Sequence, residues 1–417
     1  QDDETATEAL EPLLPSDTSV QVQVLEEKGK ASFGGTWFNL FNALEGHGLL
    51  AMPYVLTLGG WAALGCMAGA CVMTAFTATC IVWCLYDEHG KRVRKSYAEI
   101  GQACHGDVGN AVVSCVQVLN LGLAGGVVPL VLMGATLQTI EPKLTQREWT
   151  AVATAAVLPL IHVRGYHRMA FVSTFGVLLL FVIIVIIFVK GAEAVDQHGV
   201  VAPPDFKLVN LPTVYSLFVF AFSCHGMMPD LEKSMTKPAL FPRVIWSVWL
   251  ANLALKALFA FSGYLAFRDS TREVISNDLS GVLRIVTNVL IAVNKWSSVP
   301  LPLLAVFQRL ADLYQTRGLT LSRRMDAVQR TVIVLVCGSI AVAVPHFALA
   351  MSFMGSITTP FTTFLFPCWF VFKLHGARMG LALKLCLLTV ALLGIAGGIA
   401  GFLSTLRLAI SGHSAEA

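Results

Sequence analysis

Apolar stretches recur along the whole chain, separated by short polar segments, and each is close to the roughly 20 residues a helix needs to cross a bilayer. Windows of that length predict eleven helices near 33–58, 61–85, 108–139, 147–163, 170–190, 212–230, 241–267, 281–308, 329–345, 347–372 and 380–409. Residues 1–31 carry eight acidic residues, from Asp2 to Glu27, and no apolar run, which predicts a disordered tail without a cleavable signal. The chain begins with Gln rather than Met, so some N-terminal sequence is expected to be missing. Residues 32–410 read as one helical domain, followed by a short tail over 411–417.

Two interruptions break this pattern. Phe38 to Tyr54 reads FNLFNALEGHGLLAMPY, with Glu45 and His47 at mid-span beside Gly46 and Gly48. An ionisable side chain at that depth costs at least ~2.5 kcal/mol, so it persists where it faces a wet cavity and has a task. Ser223 to Pro229, SCHGMMP, interrupts the sixth window in the same way: His-Gly, apolar residues, then Pro. Matching Gly- and Pro-interrupted segments in two halves of a chain mark an inverted repeat with broken helices at a central site. The predicted repeats are about 33–190 and 212–372, with the helix at 380–409 appended and broken helices 1 and 6 facing each other.

Composition agrees with this picture and narrows it. The chain is 55% hydrophobic and 13% charged, with mean hydropathy +0.69, against roughly 25% charged for a typical soluble domain. This is an all-α polytopic membrane protein, and a net charge of +3 is too small to suggest nucleic acid as a partner. Lys and Arg concentrate in the loops that share a side with the N-terminal tail, which predicts a cytoplasmic N-terminus and, with an odd number of helices, a luminal C-terminus. Nine of the ten cysteines fall inside predicted helices and Cys104 in a cytoplasmic loop, so no disulfide framework is expected. No metal-ligand spacing and no nucleophile–base pair stand out; the chain is not expected to be an enzyme or to need a cofactor.

The breaks supply the candidate chemistry. An anionic group of a substrate would find N–H donors at a half-helix N-terminus, and Gly46 and Gly48 leave room for its approach, although glycines that simply pack helices would look alike. Asn42 would steady the opened turn; Ser223, Cys224, His225 and Gly226 would face it from the sixth helix, joined by His47. Gln117 and Asn120 either line the cavity or make interhelical contacts. Glu45, His47 and His225 form a candidate proton site, and for each histidine a neutral hydrogen-bonded core role is an equal reading. Lys295 shares a helical face with Asn288 and Ser298, and either supplies a counter-charge in the place of a sodium ion or snorkels. Lys256, one turn after Asn252, reads as a structural polar contact.

The run NALEGHGLLAMPY, Asn42 to Tyr54, followed by Gly59-Gly60-Trp61, resembles the first-helix signature of the amino acid/auxin permease family. HGMMPDLEKSMTKPALFP, His225 to Pro242, is similar to that family's sixth helix; Pro300-Leu301-Pro302 and Val344-Pro345-His346-Phe347, leading to Gly355-Ser356, match its eighth helix and ninth-to-tenth junction. Cys84 to Glu88, with Ser96-Tyr97, point within it to vesicular carriers of inhibitory amino acids. The resemblance runs from Phe33 to about Leu406. It implies a LeuT-like fold, alternating access, a substrate such as GABA, glycine or a related amino acid, and proton rather than sodium coupling. Glu45 and His47 depart from the family pattern, where these positions are apolar, small or a neutral amide. The expected function is loading of an acidic vesicular or endolysosomal compartment by amino acid/proton exchange, with chloride an open participant and lipid as the surround. A lysosomal or plasma-membrane symporter and a transporter-like amino-acid sensor are the alternatives; a channel would need a continuous polar stripe, which is absent.

Overall fold

A computed structural model describes residues 29–46, 48–162, 166–315, 318 and 322–410. Among them β pairing is limited to two isolated bridges, Ala31 with Met235 and Tyr86 with Arg92. The rest is built from helices: α1 (Phe33–Glu45), α2 (Met52–Leu85), α3 (Tyr97–Gly122), α4 (Val128–Ile140), α5 (Gln146–Ile161), α6 (Tyr166–His198), α7 (Leu211–Ala221), α8 (Met228–Ser234), α9 (Phe241–Phe267), α10 (Gly281–Ser298), α11 (Pro300–Gln315), α12 (Arg323–Ala343), α13 (Phe347–Ile357), α14 (Phe366–His375) and α15 (Leu381–Ile410).

Helices are present in all eleven expected intervals, but their boundaries follow backbone chemistry rather than hydropathy alone. Seven helical stretches among the described residues are long and apolar enough to cross a membrane, and the α13–α14 pair, bent by 41°, makes an eighth. α2 runs through the first two intervals and turns at Gly60, which has φ 53° and whose missing Cβ would run into the Pro204 carbonyl. Only glycine adopts that backbone freely. One turn of π-helix, Leu123–Val127, joins α3 to α4, and another, Phe361–Leu365, precedes α14; each lies just ahead of a proline, Pro129 and Pro367, which cannot donate to the helical ladder.

Packing sorts the helices into a centre and a rim. α2, α7 and α9 bury large side chains such as Phe218, Trp249 and Phe259 completely, whereas α12 and α15 expose Leu335, Val336, Leu388, Leu392 and Ile399. In a membrane the exposed apolar stripes face lipid. The appended α15 approaches closely through Gly394, Gly398 and Gly401, which sit against Phe364, Pro360 and Ser216.

Candidate functional site

Both interruptions fold by one rule. After α1 the chain passes Gly46 and Gly48, makes a single 3-10 turn at Leu49–Ala51, and restarts as α2 with Pro53 in its first turn. After α7 it leaves the helix at Phe222, makes a 3-10 turn at His225–Met227, and restarts as α8 with Pro229 in its first turn. Proline is tolerated there because first-turn N–H groups have no helical acceptor. Each break therefore leaves orphan carbonyls at the end of one half-helix and orphan N–H groups at the start of the next. The two breaks touch: a Cβ on Gly48 would lie 2.6 Å from the Ala221 Cβ and 3.0 Å from its Cα, while one on Gly46 would meet nothing closer than the Ala43 carbonyl at 3.6 Å.

Two lysines reach this junction from outside the broken helices. Lys256 of α9, wholly buried, donates from Nζ to the Leu44 carbonyl at 2.9 Å, the Ala221 carbonyl at 3.0 Å and Asn252 Oδ1 at 3.0 Å. The same ammonium lies 3.7 Å from Glu45 Oε1 and 4.7 Å above the Phe222 ring. Glu45 is 2% exposed, and neither carboxylate oxygen has a hydrogen bond among the described residues. Lys295 of α10 donates to the Gly46 carbonyl, and Ser298 Oγ donates to the Lys295 carbonyl at 3.3 Å. Glu45 thus has the Lys256 ammonium as its charged neighbour, while Lys295, read from the sequence as a counter-charge or a snorkelling side chain, bonds the opened backbone at Gly46.

Three cavities surround the junction. One of 670 Å³, lined by Asn42, Gly46, Asp230, Asn294, Lys295 and Ser298 among others, leads from the first break toward the face that carries Ala31 and Arg92. A smaller chamber of 170 Å³ lies between the breaks, bounded by Gly48, Gln117, Asn120, Ser223, Cys224, His225, Gly226 and Thr362. Its polar groups are mostly committed: Asn120 donates to Thr358 at 2.9 Å and Thr359 at 3.2 Å, and Ser223 shares a hydrogen bond with Thr363 at 2.7 Å. Gln117 Oε1 is buried and unpaired among the described residues.

His225 Nε2 lies 3.1 Å from the Thr74 carbonyl and 2.9 Å from Thr77 Oγ1, with the ring edge-on to Trp249. A carbonyl only accepts, so Nε2 carries the proton and the buried Nδ1 is an acceptor without a partner among the described residues. On the opposite face a 430 Å³ vestibule is lined by Tyr54, Arg147, Asn210, Glu273 and His346. Asn210 donates to the Leu58 carbonyl at 2.8 Å, Gln146 donates to the Pro345 carbonyl, and the Ala348 N–H donates to Glu273 at 2.9 Å. Burial pushes the Glu273 carboxyl above the usual range, against the pull of that N–H and of His346 at 3.9 Å.

A bundle with a cavity leading from one face to a pair of broken helices and a hydrogen-bonded vestibule on the other invites comparison with known carriers. The profile of the transmembrane amino acid transporter proteins matches residues 29–406. The chain belongs to this family. Among the relatives of this transmembrane amino acid transporter, the human vesicular inhibitory amino acid transporter is 29% identical over 400 residues, covering 88% of this chain and 75% of that one. The vesicular GABA transporter of Caenorhabditis elegans is 27% identical over 346 residues (80% and 71% covered), and amino acid transporter AVT1D of Arabidopsis thaliana 26% over 424 (96% and 75%). Solved structures share the fold at lower identity. MhsT in complex with L-phenylalanine superposes with TM-score 0.59 at 16% identity over 91% of this chain and 99% of that one, and the inward-facing conformation of Mhp1 with 0.56 at 13% over 92% of each. The architecture is the LeuT-like 5+5 repeat with broken first and sixth helices and an appended eleventh.

Of the residues singled out from the sequence, Gly48, Gln117, Asn120, Ser223, Cys224, His225 and Gly226 meet at the chamber, and Asn42, Gly46, Lys295 and Ser298 at the larger cavity. Glu45 is turned toward α9 instead, and His47 lies outside the described residues. Asn288 donates to Thr139 and, at 2.8 Å, to Asn277, away from both cavities. Sequence reasoning missed Thr74, Thr77 and Thr362, whose hydroxyls sit in apolar helical runs like any helix-packing threonine.

Proposed function

We propose that this transporter moves a small amino acid by alternating access, exchanging it for protons across the membrane of an acidic vesicle, with the 670 Å³ cavity facing the cytosol. GABA, glycine or a related amino acid is the proposed substrate, since the small chamber suits a short molecule and the mammalian and nematode relatives are named for inhibitory amino acids and GABA. The reading rests on one observation, the Glu45 carboxylate buried against Lys256 where the first helix opens. Among the described residues this carboxylate accepts no hydrogen bond and has the Lys256 ammonium beside it, so a proton arriving there changes the charge balance of both broken helices at once. Orientation follows from the Lys and Arg content of the loops on the cavity's side. Arg92, Arg94 and Arg378 stand there, Arg92 Nε 2.8 Å from the buried Glu232.

The test is uptake of labelled GABA, glycine and a panel of other amino acids by proteoliposomes, with acid inside or equal pH, beside counterflow at equal pH. Accumulation driven by inside acidity is expected, together with counterflow for the substrate. Counterflow without any response to the gradient would remove proton coupling, and substrate binding without counterflow would make the protein a sensor.

A further inference from the structure

A separate groove of 730 Å³ lies away from the junction, between the end of α2, the start of α9, α14 and the start of α15. Its walls include Val82, Trp83, Pro242, Val371, Met379 and Leu383. α2, α9 and α15 are long and apolar enough to cross a membrane, and Trp83, 41% exposed, stands two residues from the end of α2. Trp and Tyr at a helix end mark the headgroup level of a bilayer, and Tyr86 follows directly. The polar members of the groove, Tyr86, Arg92 and His375, come from helix ends and the loop after α2, whereas Val82 and Val371 lie within helices. The groove is thus apolar along its length and polar at the headgroup end.

The polar end is incompletely satisfied. Arg92 commits Nε to the buried Glu232 at 2.8 Å and Nη2 to the Pro229 carbonyl at 3.0 Å, and its side chain stays 15% exposed. His375 Nε2 is buried without a hydrogen bond among the described residues, an atom that a polar ligand group would satisfy. The segments that rim the groove, residues 86–95, 232–243 and 373–384, carry ten Lys and Arg against three acidic residues. A basic rim attracts anionic headgroups. A soluble anion would have no use for the apolar walls, and a neutral lipid none for the rim.

We propose that this groove binds one anionic glycerophospholipid, with an acyl chain along the apolar walls and the phosphate at Arg92 and His375. The binding does not depend on the transport reading; its consequence does. Arg92 also braces α8 through Glu232 and the Pro229 carbonyl, so a headgroup held there acts on the second half-helix of the second break.

Fluorescence of Trp83, isolated as the difference between the purified full chain and its Trp83→Phe variant, reports occupancy. It is followed in phosphatidylcholine nanodiscs that contain rising fractions of either phosphatidylserine or phosphatidylcholine brominated on the acyl chains, since bromine quenches tryptophan on contact. Half-maximal quenching should need at least about fivefold less of the anionic lipid, the worth of one basic contact near an anionic headgroup. Arg92→Gln should lose this preference. Because that change also touches α8, Ala239→Glu serves as the second variant: Ala239 lines the groove at an exposed position, and a carboxylate there should repel the headgroup and abolish the preference. Equal quenching by the two lipids in the wild type overturns the proposal without any variant. So does a preference that Ala239→Glu retains. Relief of quenching by inorganic phosphate at constant ionic strength would show a soluble-anion site, and relief by cholesterol a sterol site; either overturns it too. No step of the measurement involves transport, so failure of the transport reading would leave the result standing.

Discussion

The first break is held by charges and the second by neutral hydrogen bonds. At the first, the Leu44 and Gly46 carbonyls are bonded by the ammonium groups of Lys256 and Lys295, and Glu45 adds a carboxylate. At the second, Ser223 bonds Thr363 and His225 bonds Thr77 and the Thr74 carbonyl, with the Ala221 carbonyl and the Phe222 ring reaching Lys256. The same backbone device therefore serves two purposes. A charged junction changes energy steeply when one group gains or loses a proton, since interactions in a low-dielectric interior are strong. A junction of neutral bonds keeps its geometry through that change and suits a binding wall.

The largest expected effect is at the charged break. Glu45→Gln should abolish gradient-driven uptake while leaving counterflow, and should lower stability by about 3–5 kcal/mol because Lys256 loses its buried counter-charge. Adding Lys256→Met to Glu45→Gln should recover part of that stability and none of the gradient response, a non-additivity read from melting of the four proteins in the cycle. Normal gradient-driven flux in Glu45→Gln would make the charged break a packing device. Next comes the point where the breaks touch. Gly48→Ala should weaken substrate binding and cost about 1–3 kcal/mol, as an inserted methyl forces Ala221 back. Gly46→Ala has open space and should bind nearly as the wild type does, a contrast measured by affinity on purified proteins. The smallest effect is at the neutral break: His225→Gln keeps a donor for the Thr74 carbonyl and should leave the pH optimum of transport in place. A shifted optimum there would mean that both breaks titrate.

Much of this was legible before any fold was drawn. The polar interruption at Glu45 to Gly48 and its echo at His225 to Pro229 located both broken helices, because Gly and Pro act on the backbone locally and leave their mark in the sequence. The partners were not legible. Asn252 and Lys256 announce a shared face by their four-residue spacing, but nothing in one sequence says that this face meets Leu44 and Ala221, hundreds of residues away in one case. Lys295 read as either a counter-charge or a snorkelling side chain; its Nζ goes to the Gly46 carbonyl, since the opened backbone offers a free acceptor that charge counting overlooks. Tyr86 stood out only as part of a family signature, and its physical task is to donate to Glu232 beside Arg92. His225 looked titratable, and only the Thr74 carbonyl shows which of its nitrogens is spoken for.

The Glu45–Lys256 pair also sets a schedule for biogenesis. α1 is made early and α9 late, so during synthesis the acidic residue enters the membrane region without its ammonium, at an insertion cost of ~2.5–3.5 kcal/mol for a lone charge at mid-helix. At about 5–20 residues per second, the roughly two hundred intervening residues take on the order of ten to forty seconds to appear. For that interval the first half-helix is a poor membrane segment, free to remain near the interface or to carry Glu45 protonated. The arrival of α9 then delivers Lys256 to both half-helix ends in one step, so the site is completed by the same residue that secures the insertion of the first helix.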